Sequence, residues 1–255
     1  MTDWETAGIN CIRAAQEALR GVKATAAFDN SVNPHTDADL VSHKAMVASL
    51  ESSGLACDLV SEEFDQTIKI NGGGNTKVYI DPIDGTVHFV RNELYFCAVG
   101  MIVVENGLPS YAFVGDLVTG DIYHCNGSAA FRNGGPVKIP GKPIGKPILA
   151  GWAPYEPGMD RFAVFSKALP QKEYLMFNFG QMLQSAKITE GRYDACFEIM
   201  PAKTQEFAGA VIAWRAGAIF TTMDGKPIVW DGSRQTMLVS RDAELHNKLI
   251  KSFNS

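Results

Sequence analysis

The stretch KVYIDPIDGTVHF, Lys77 to Phe89, decides how this chain is read. Lys77 to Ile80 has the pattern of a short buried strand. Asp81-Pro82 and Asp84-Gly85 are turn signals, so the chain is expected to leave the strand at Asp81. Two carboxylates on one tight turn can face a common point. Carboxylate oxygens in a compact loop suit a hard divalent cation such as magnesium. Gly85 and Thr86 stand where a helix could start, and the free N–H groups of a helix start attract phosphate. On this string alone, an ordinary acidic surface turn is an equally good reading.

Composition narrows the choice. The 255 residues fit one large domain or two small ones, and 46% of them are hydrophobic, enough for a sizeable core. The formal net charge is -5 and no basic stripe stands out, which argues against a nucleic-acid or anionic-membrane surface. Cys11, Cys57, Cys97, Cys125 and Cys196 are scattered and show no C-x-x-C spacing, so they read as free thiols in a reducing compartment. The start, MTDWETAGIN, is unlike a signal peptide, and no apolar run reaches the length of a membrane span. A soluble, cytoplasmic protein is expected.

Around the stretch, helical spacing predicts a helix from residue 3 to about 20, with Thr2 and Glu5 at capping-box positions and Ile9, Ile12, Ala15 and Leu19 facing inward. A polar loop is expected over 26–34. A second helix is expected over 37–52, with Leu40, Val41, Val47 and Leu50 as its apolar face. Cys57 to Ser61 reads as a strand ending in Glu62 and Glu63, and 67–76 as a Gly- and Asn-rich loop. From Tyr95 onward, strands alternate with Asn106-Gly107, Thr119-Gly120, Gly127 and Asn133-Gly134-Gly135, the punctuation of an antiparallel sheet. A link with Pro136, Pro140, Pro143 and Pro147 follows. Strands and helices then alternate to a terminal helix over 243–253, which suggests βα layering.

If the strands before Glu62 and Asp81 are neighbours, their ends bring Glu62, Asp81 and Asp84 together. Acids converging without cationic partners repel unless cations sit between them; alone, SEEF reads best as a solvated acidic loop. With SEEF at 61–64, DPIDGTVHF at 81–89, AGAVIAWRAGA at 208–218 and TDAD at 36–39, the chain resembles the inositol monophosphatase family, within the magnesium-dependent, lithium-sensitive phosphatases. The segment FGQMLQSAKITEGRYDACFE, 179–198, resembles that family's substrate-side helix and strand.

The resemblance implies an α/β protein, α+β in its N-terminal half, built as a layered αβαβα sandwich of the inositol monophosphatase and fructose-1,6-bisphosphatase type. Residues 1–142 would carry the antiparallel sheet and metal site, and 143–255 would complete the substrate pocket. It further implies Mg2+-dependent hydrolysis of a small phosphate monoester and a homodimer. Glu62, Asp81 and the Ile83 carbonyl would bind the first magnesium, and Asp84 would join Asp81 at a second. Asp39 and Thr86 would orient and deprotonate the attacking water, since a threonine hydroxyl needs a carboxylate to take up the proton. Asp39 also reads as a helix N-terminal acid favoured by the dipole. Gly85 and Thr86 N–H groups would hold phosphate, Glu63 would support the site, and Glu198 would contact substrate hydroxyls.

Three positions depart from the family pattern. His88 stands where Asn is usual and reads as a ring packed under the loop. Gly180 is followed by Gln181 and Met182 where small residues are usual, and these larger side chains are expected to reshape the substrate pocket. The aspartate before the last motif is missing: counting back from Gly209 or forward from Glu198 puts Gln205 there, as second-metal ligand, with Glu206 turned to solvent. The leading substrate class is a polyol, sugar or related metabolite phosphate. Histidinol phosphate, a sugar bisphosphate and a 3'-phosphonucleotide are alternatives, as is a non-catalytic binding or regulatory protein on the same fold.

Overall fold

Two helices open the chain. In the computed structural model, residues 3–25, 35–64, 66–142, 145–152, 158–169, 173–178 and 182–254 are described; the loop expected over 26–34 lies outside them. Helix α1 (Trp4–Leu19) starts one residue later than the capping-box spacing suggests. Asp3 is its N-cap and accepts from Thr6 N–H at 2.8 Å, while Glu5 reaches across to His124 Nε2 at 3.1 Å. Helix α2 (Asp37–Ser53) ends at Gly54, which takes the left-handed conformation at φ 76°.

The first sheet has eight strands: β1 (Cys57–Ser61), β2 (Ile68–Ile70), β3 (Lys77–Asp84), β4 (Ala98–Glu105), β5 (Leu108–Asp116), β6 (Ile122–Cys125), β7 (Ala130–Arg132) and β8 (Gly135–Val137), in the order β2-β1-β3-β4-β5-β6-β7-β8. β1 and β3 run parallel, Ser61 beside Ile80, and every other pair is antiparallel. Asn106-Gly107 and Asn133-Gly134 close two-residue hairpins with positive φ at both central residues, which matches strand twist. The expected loop over 67–76 contains a strand: Ile68, Lys69 and Ile70 pair with β1, and Ile70 joins the core.

The second sheet has five strands, ordered β10-β9-β11-β13-β12: β9 (Ile148–Trp152), β10 (Leu175–Asn178), β11 (Ala195–Ala202), β12 (Ile219–Thr221) and β13 (Gln235–Ser240). It is mixed, with β9 parallel to β10 and β11, and β13 antiparallel to both neighbours. Helices α4 (Gly158–Ala168) and α7 (Ala243–Phe253) cover its outer face. Between the sheets lie α5 (Met182–Ala186), which continues as a 3-10 turn over Lys187–Glu190, and α6 (Ala208–Arg215), which is preceded by a 3-10 turn over Thr204–Phe207. With α1 and α2 on the far face of the first sheet, the layers are αβαβα.

Helix α6 is apolar through its buried part: Ala208, Ala210, Val211, Ile212 and Ala213 are buried among residues of both sheets. That explains why 208–213 shows no amphipathic period; a helix covered on both sides is apolar all round. No described helix is long and apolar enough to cross a membrane. All five cysteines are free and buried, and burial raises every thiol pKa.

The α1–sheet contact is close. A Cβ built on Gly8 would lie 2.2 Å from the Phe113 ring, which is itself fully buried. Gly8→Ala should therefore destabilise the protein by about 1–3 kcal/mol in urea unfolding, even though alanine favours helix by about 1 kcal/mol. Unchanged stability would mean that α1 does not interlock with β5 here.

Candidate active site

The acidic residues gather where the C-terminal ends of β1 and β3 meet the middle helix layer. β3 does not end at Ile80, as its turn signals suggest, but continues to Asp84. Asp81 pairs with Gly100 of β4 and Asp84 with Ala98, so three steps on β3 face two on β4. This is a bulge of one extra residue, and Pro82 sits inside it, where no ladder N–H is needed. In a regular strand, Asp81 and Asp84 would point to opposite faces. The bulge brings them back into phase.

The two acids are almost fully buried, at 1% and 2% exposure. Burial, then the charges of Glu62, Asp84 and Glu206, raise Asp81 well above the usual carboxylate range. Burial and the charges of Glu206 and Glu62 raise Asp84, against N–H groups of Met182 and Leu183 that lower it; Met182 N–H donates to Asp84 Oδ2 at 2.9 Å. Glu198 comes from β11 of the second sheet, and burial with Glu206, Asp84 and Glu62 raises it too. Asp81 Oδ1 and Glu198 Oε2 are buried and have no hydrogen-bond partner.

Asp39 stands beside this group. Thr36 is the N-cap of α2 and Asp39 the reciprocal acid, so the helix-start reading is correct locally. Thr36 N–H and Oγ1 both donate to Asp39 Oδ2, at 2.8 and 2.5 Å. That leaves Oδ1 to face Thr86, whose Oγ1 is 3.2 Å away and also 2.9 Å from the Ile83 carbonyl. Burial raises the Asp39 pKa despite these donors. Gly85 must be glycine: its φ is 86°, and a Cβ would lie 2.8 Å from the Phe96 carbonyl. It caps α3 (Thr86–Val90), a short helix of five residues.

The predicted apolar face of α2 is rotated in the structure. Val41 is 39% exposed, and the buried side carries Ala38, Asp39, Ser42, His43, Met46 and Leu50. The polar members are there because the strand ends need partners. Ser42 Oγ donates to the Pro82 carbonyl at 2.7 Å, and His43 Nδ1 lies 3.0 Å from Ser61 Oγ. Glu63 pairs with His35, and burial with the Asp39 charge pushes its pKa up to about 7. His88 packs on Phe96 at 4.9 Å and meets Glu93 at 2.8 Å, away from the acids, in keeping with the packing reading. Asp194 is held by Ile148 N–H and Arg241, a structural pairing.

Two expectations need correction. Glu206 does not face solvent. It is partly buried, accepts Lys203 N–H at 2.7 Å on Oε1, and raises the pKa of Asp81, Asp84 and Glu198. Its own pKa is pushed up to about 7 by burial and by Glu62. Gln205 is 2% exposed, has an unpartnered Nε2, and forms part of the wall of an adjoining cavity. Sequence reasoning noticed Glu206 but gave it the wrong direction; it also missed Lys203, whose Nζ donates to the Glu62 carbonyl at 3.1 Å.

The second correction is Met182. It packs into the core between the sheets. Its side chain is buried against Gly100, where an added Cβ would lie 2.1 Å from the sulfur. Gly180 and Gln181 lie outside the described residues. Among the described residues, no three His, Cys, Asp or Glu side chains converge closely enough to hold a metal ion.

The chain is similar to known proteins. A model of the inositol monophosphatase family matches residues 3–255. The inositol-1-monophosphatase of Bacillus subtilis (strain 168) is 26% identical over 244 residues, 90% of each chain. A Nus factor SuhB of Xylella fastidiosa is 25% identical over 199 residues, 74% of this chain and 69% of its own. Among solved structures, the Thermotoga maritima IMPase matches with a TM-score of 0.83 at 21% identity, covering 99% of this chain and 97% of the other, a likeness of fold.

The Met182 assignment is open to a direct check. Met182→Ala should cost about 2–4 kcal/mol of stability by leaving a cavity beside Gly100. The KM for any substrate should stay within about twofold, since no pocket contact is lost. A large KM change in a protein of parental stability would put Met182 back in the pocket.

Proposed function

The chain belongs to the inositol monophosphatase family, and on that footing we propose that it is a magnesium-dependent phosphatase acting on a small polar phosphate monoester. The observation that carries this reading is the bulge that sets Asp81 and Asp84 in phase beside Glu62 and Glu206. Two like charges about 4 Å apart repel by about 4 kcal/mol at an effective dielectric constant of about 20. Buried acids that repel one another in this way keep protons or hold a metal. The unpartnered Asp81 Oδ1 and the all-oxygen donor set have the chemistry a hard dication takes, and the carboxylates would draw closer together around it.

Glu62, Asp81, Asp84 and the Ile83 carbonyl would hold the cation, with Glu206 in the role expected of Gln205. Bound there, magnesium neutralises phosphate charge, lowers the pKa of a water ligand and stabilises the leaving oxygen. The rest falls to the chain. Asp39 is fixed through Oδ2 by Thr36, so its Oδ1 is kept for Thr86. The Thr86 hydroxyl orients the attacking water and relays its proton toward Asp39, a buried carboxylate that is a stronger base than a solvated one. Gly85 and Thr86 N–H groups hold the phosphate, Glu63 supports the site, and Glu198 meets the leaving group's hydroxyls. A cytoplasmic homodimer completes the reading.

The test is phosphate release from a panel of metabolite monophosphates with and without magnesium. Turnover that requires magnesium is expected; none at millimolar metal would favour a binding or regulatory protein.

Asp81→Asn should abolish hydrolysis while the fold survives. Without metal, its melting temperature should equal or exceed the parent's, because one of several repelling buried charges is gone. Near-normal activity in a folded Asp81→Asn protein would remove this site from consideration.

Glu206→Gln should weaken magnesium binding in calorimetry by about tenfold or more, whereas Gln205→Asp should change it little. The reverse pattern would restore Gln205 as the position that serves the metal.

A further inference from the structure

Beside the acids is a cavity of about 490 Å³. It shares a wall with the active site: Gln205 and Lys203 belong to the turn that carries Glu206, and Ser61 directly precedes Glu62. Three cations line it, Lys77, Lys203 and Arg234. None of them forms an ion pair among the described residues. Lys203 donates to the Glu62 carbonyl, and Arg234 lies 3.4 Å from the Pro201 carbonyl, so both hold their charge beside the opening without a carboxylate partner.

Two acids also line the cavity, and both are engaged. Asp231 accepts Ser233 N–H at 2.8 Å and draws on the charge of Lys77. Asp58 accepts Gly74 N–H at 3.3 Å. The lining therefore carries three cations against two carboxylates, and Lys203 and Arg234 are the cations without a carboxylate in ion-pair contact among the described residues. The charge of Arg234 reaches Glu198 and Glu206, which ties it to the side of the site where a leaving group would lie. Gln205 strengthens the case. At the position where the family carries an aspartate, this chain puts a neutral amide on the cavity wall, with a buried Nε2 that has no partner. A neutral polyol would need neither cation. An anion needs both, because charge-assisted bonds to guanidinium and ammonium offset its desolvation.

We propose that this cavity is a subsite for a second anionic group, phosphate or carboxylate, on the leaving-group part of the substrate, read by Arg234 and Lys203. The proposal rests on the phosphatase reading and narrows it to phosphorylated acids and bisphosphates over neutral polyol phosphates.

The experiment uses matched pairs: fructose 1,6-bisphosphate against fructose 1-phosphate, and 3-phosphoglycerate against glycerol 3-phosphate. With magnesium, kcat/KM should favour the doubly anionic member of at least one pair by about tenfold or more, mainly through KM. Which pair responds tells phosphate from carboxylate. In Arg234→Gln that ratio should fall to within about twofold of unity, and Arg234→Lys should recover part of it. Arg234 is exposed, so the fold should tolerate the change, and a melting curve verifies this. Calorimetric titration of the same four compounds into Asp81→Asn, with and without Arg234→Gln, reads binding without turnover. Turnover with no preference in either pair, or a preference untouched by Arg234→Gln, overturns the subsite and leaves the phosphatase reading standing. No turnover, but an Arg234-dependent binding preference, does the opposite.

Discussion

Asp81 and Asp84 share a face because β3 has one residue more than β4 can match. Everything at the site depends on that mismatch. Without it, the two carboxylates would point to opposite faces of the sheet, and no common point would exist between them. The bulge also places the Pro82 carbonyl where Ser42 can reach it and the Ile83 carbonyl within reach of Thr86. Gly85 then turns the chain with positive φ, in a space where a side chain would strike Phe96. Sequence alone shows Pro and Gly here and suggests a turn. It cannot show that the ladder to β4 resumes at Asp84, because that depends on which residues β4 offers.

The same constraint explains why α2 is hard to read. Its buried face is chosen by the hydrogen-bonding needs of the strand ends, not by hydrophobicity. Asp39, Ser42 and His43 point inward and Val41 points out. Burying unpaired polar groups costs about 1–3 kcal/mol each, so these residues are tolerated only because Thr86, Pro82 and Ser61 complete them. Apolar periodicity measures transfer to a core. It misplaces a helix whose inner face is part of a site.

Where backbone chemistry is local, the sequence is transparent. Asn106-Gly107 and Asn133-Gly134 adopt positive φ in two-residue hairpins, as their residue types require. The antiparallel run of the first sheet and the alternating second half follow from turn signals and order, whereas the pairing of β1 with β3 enters the sequence reading only as a condition, and its parallel direction comes from the structure. Met182 is the opposite case. Its size suggests a filled pocket, yet its direction is set by Gly100 on β4, which leaves room for the thioether, and by its own N–H, which is committed to Asp84. A side chain's size is written in the sequence, but the space that receives it belongs to a distant strand.

The turn at 204–207 shows how little is needed to exchange two neighbours. It is 3-10, with about 120° between successive residues. Adjacent side chains therefore look in clearly different directions, and counting from Gly209 identifies a position without giving its direction. Lys203 N–H fixes the outcome by holding Glu206 Oε1, so the carboxylate folds back toward Glu62 and Asp84 while Gln205 turns to the cavity wall. A lysine side chain has no acceptor, so only half of a capping box forms. Its ammonium is left to bond the Glu62 carbonyl instead. The neighbours in this turn thus divide the work: Glu206 adds a carboxyl group to the acidic cluster, while Gln205 and Lys203 put a neutral amide and a cation on the wall beside it. A carboxyl group on one side of a turn and an amide with an ammonium on the other separate charge within four residues, which is what the proposed cation and anion positions would require.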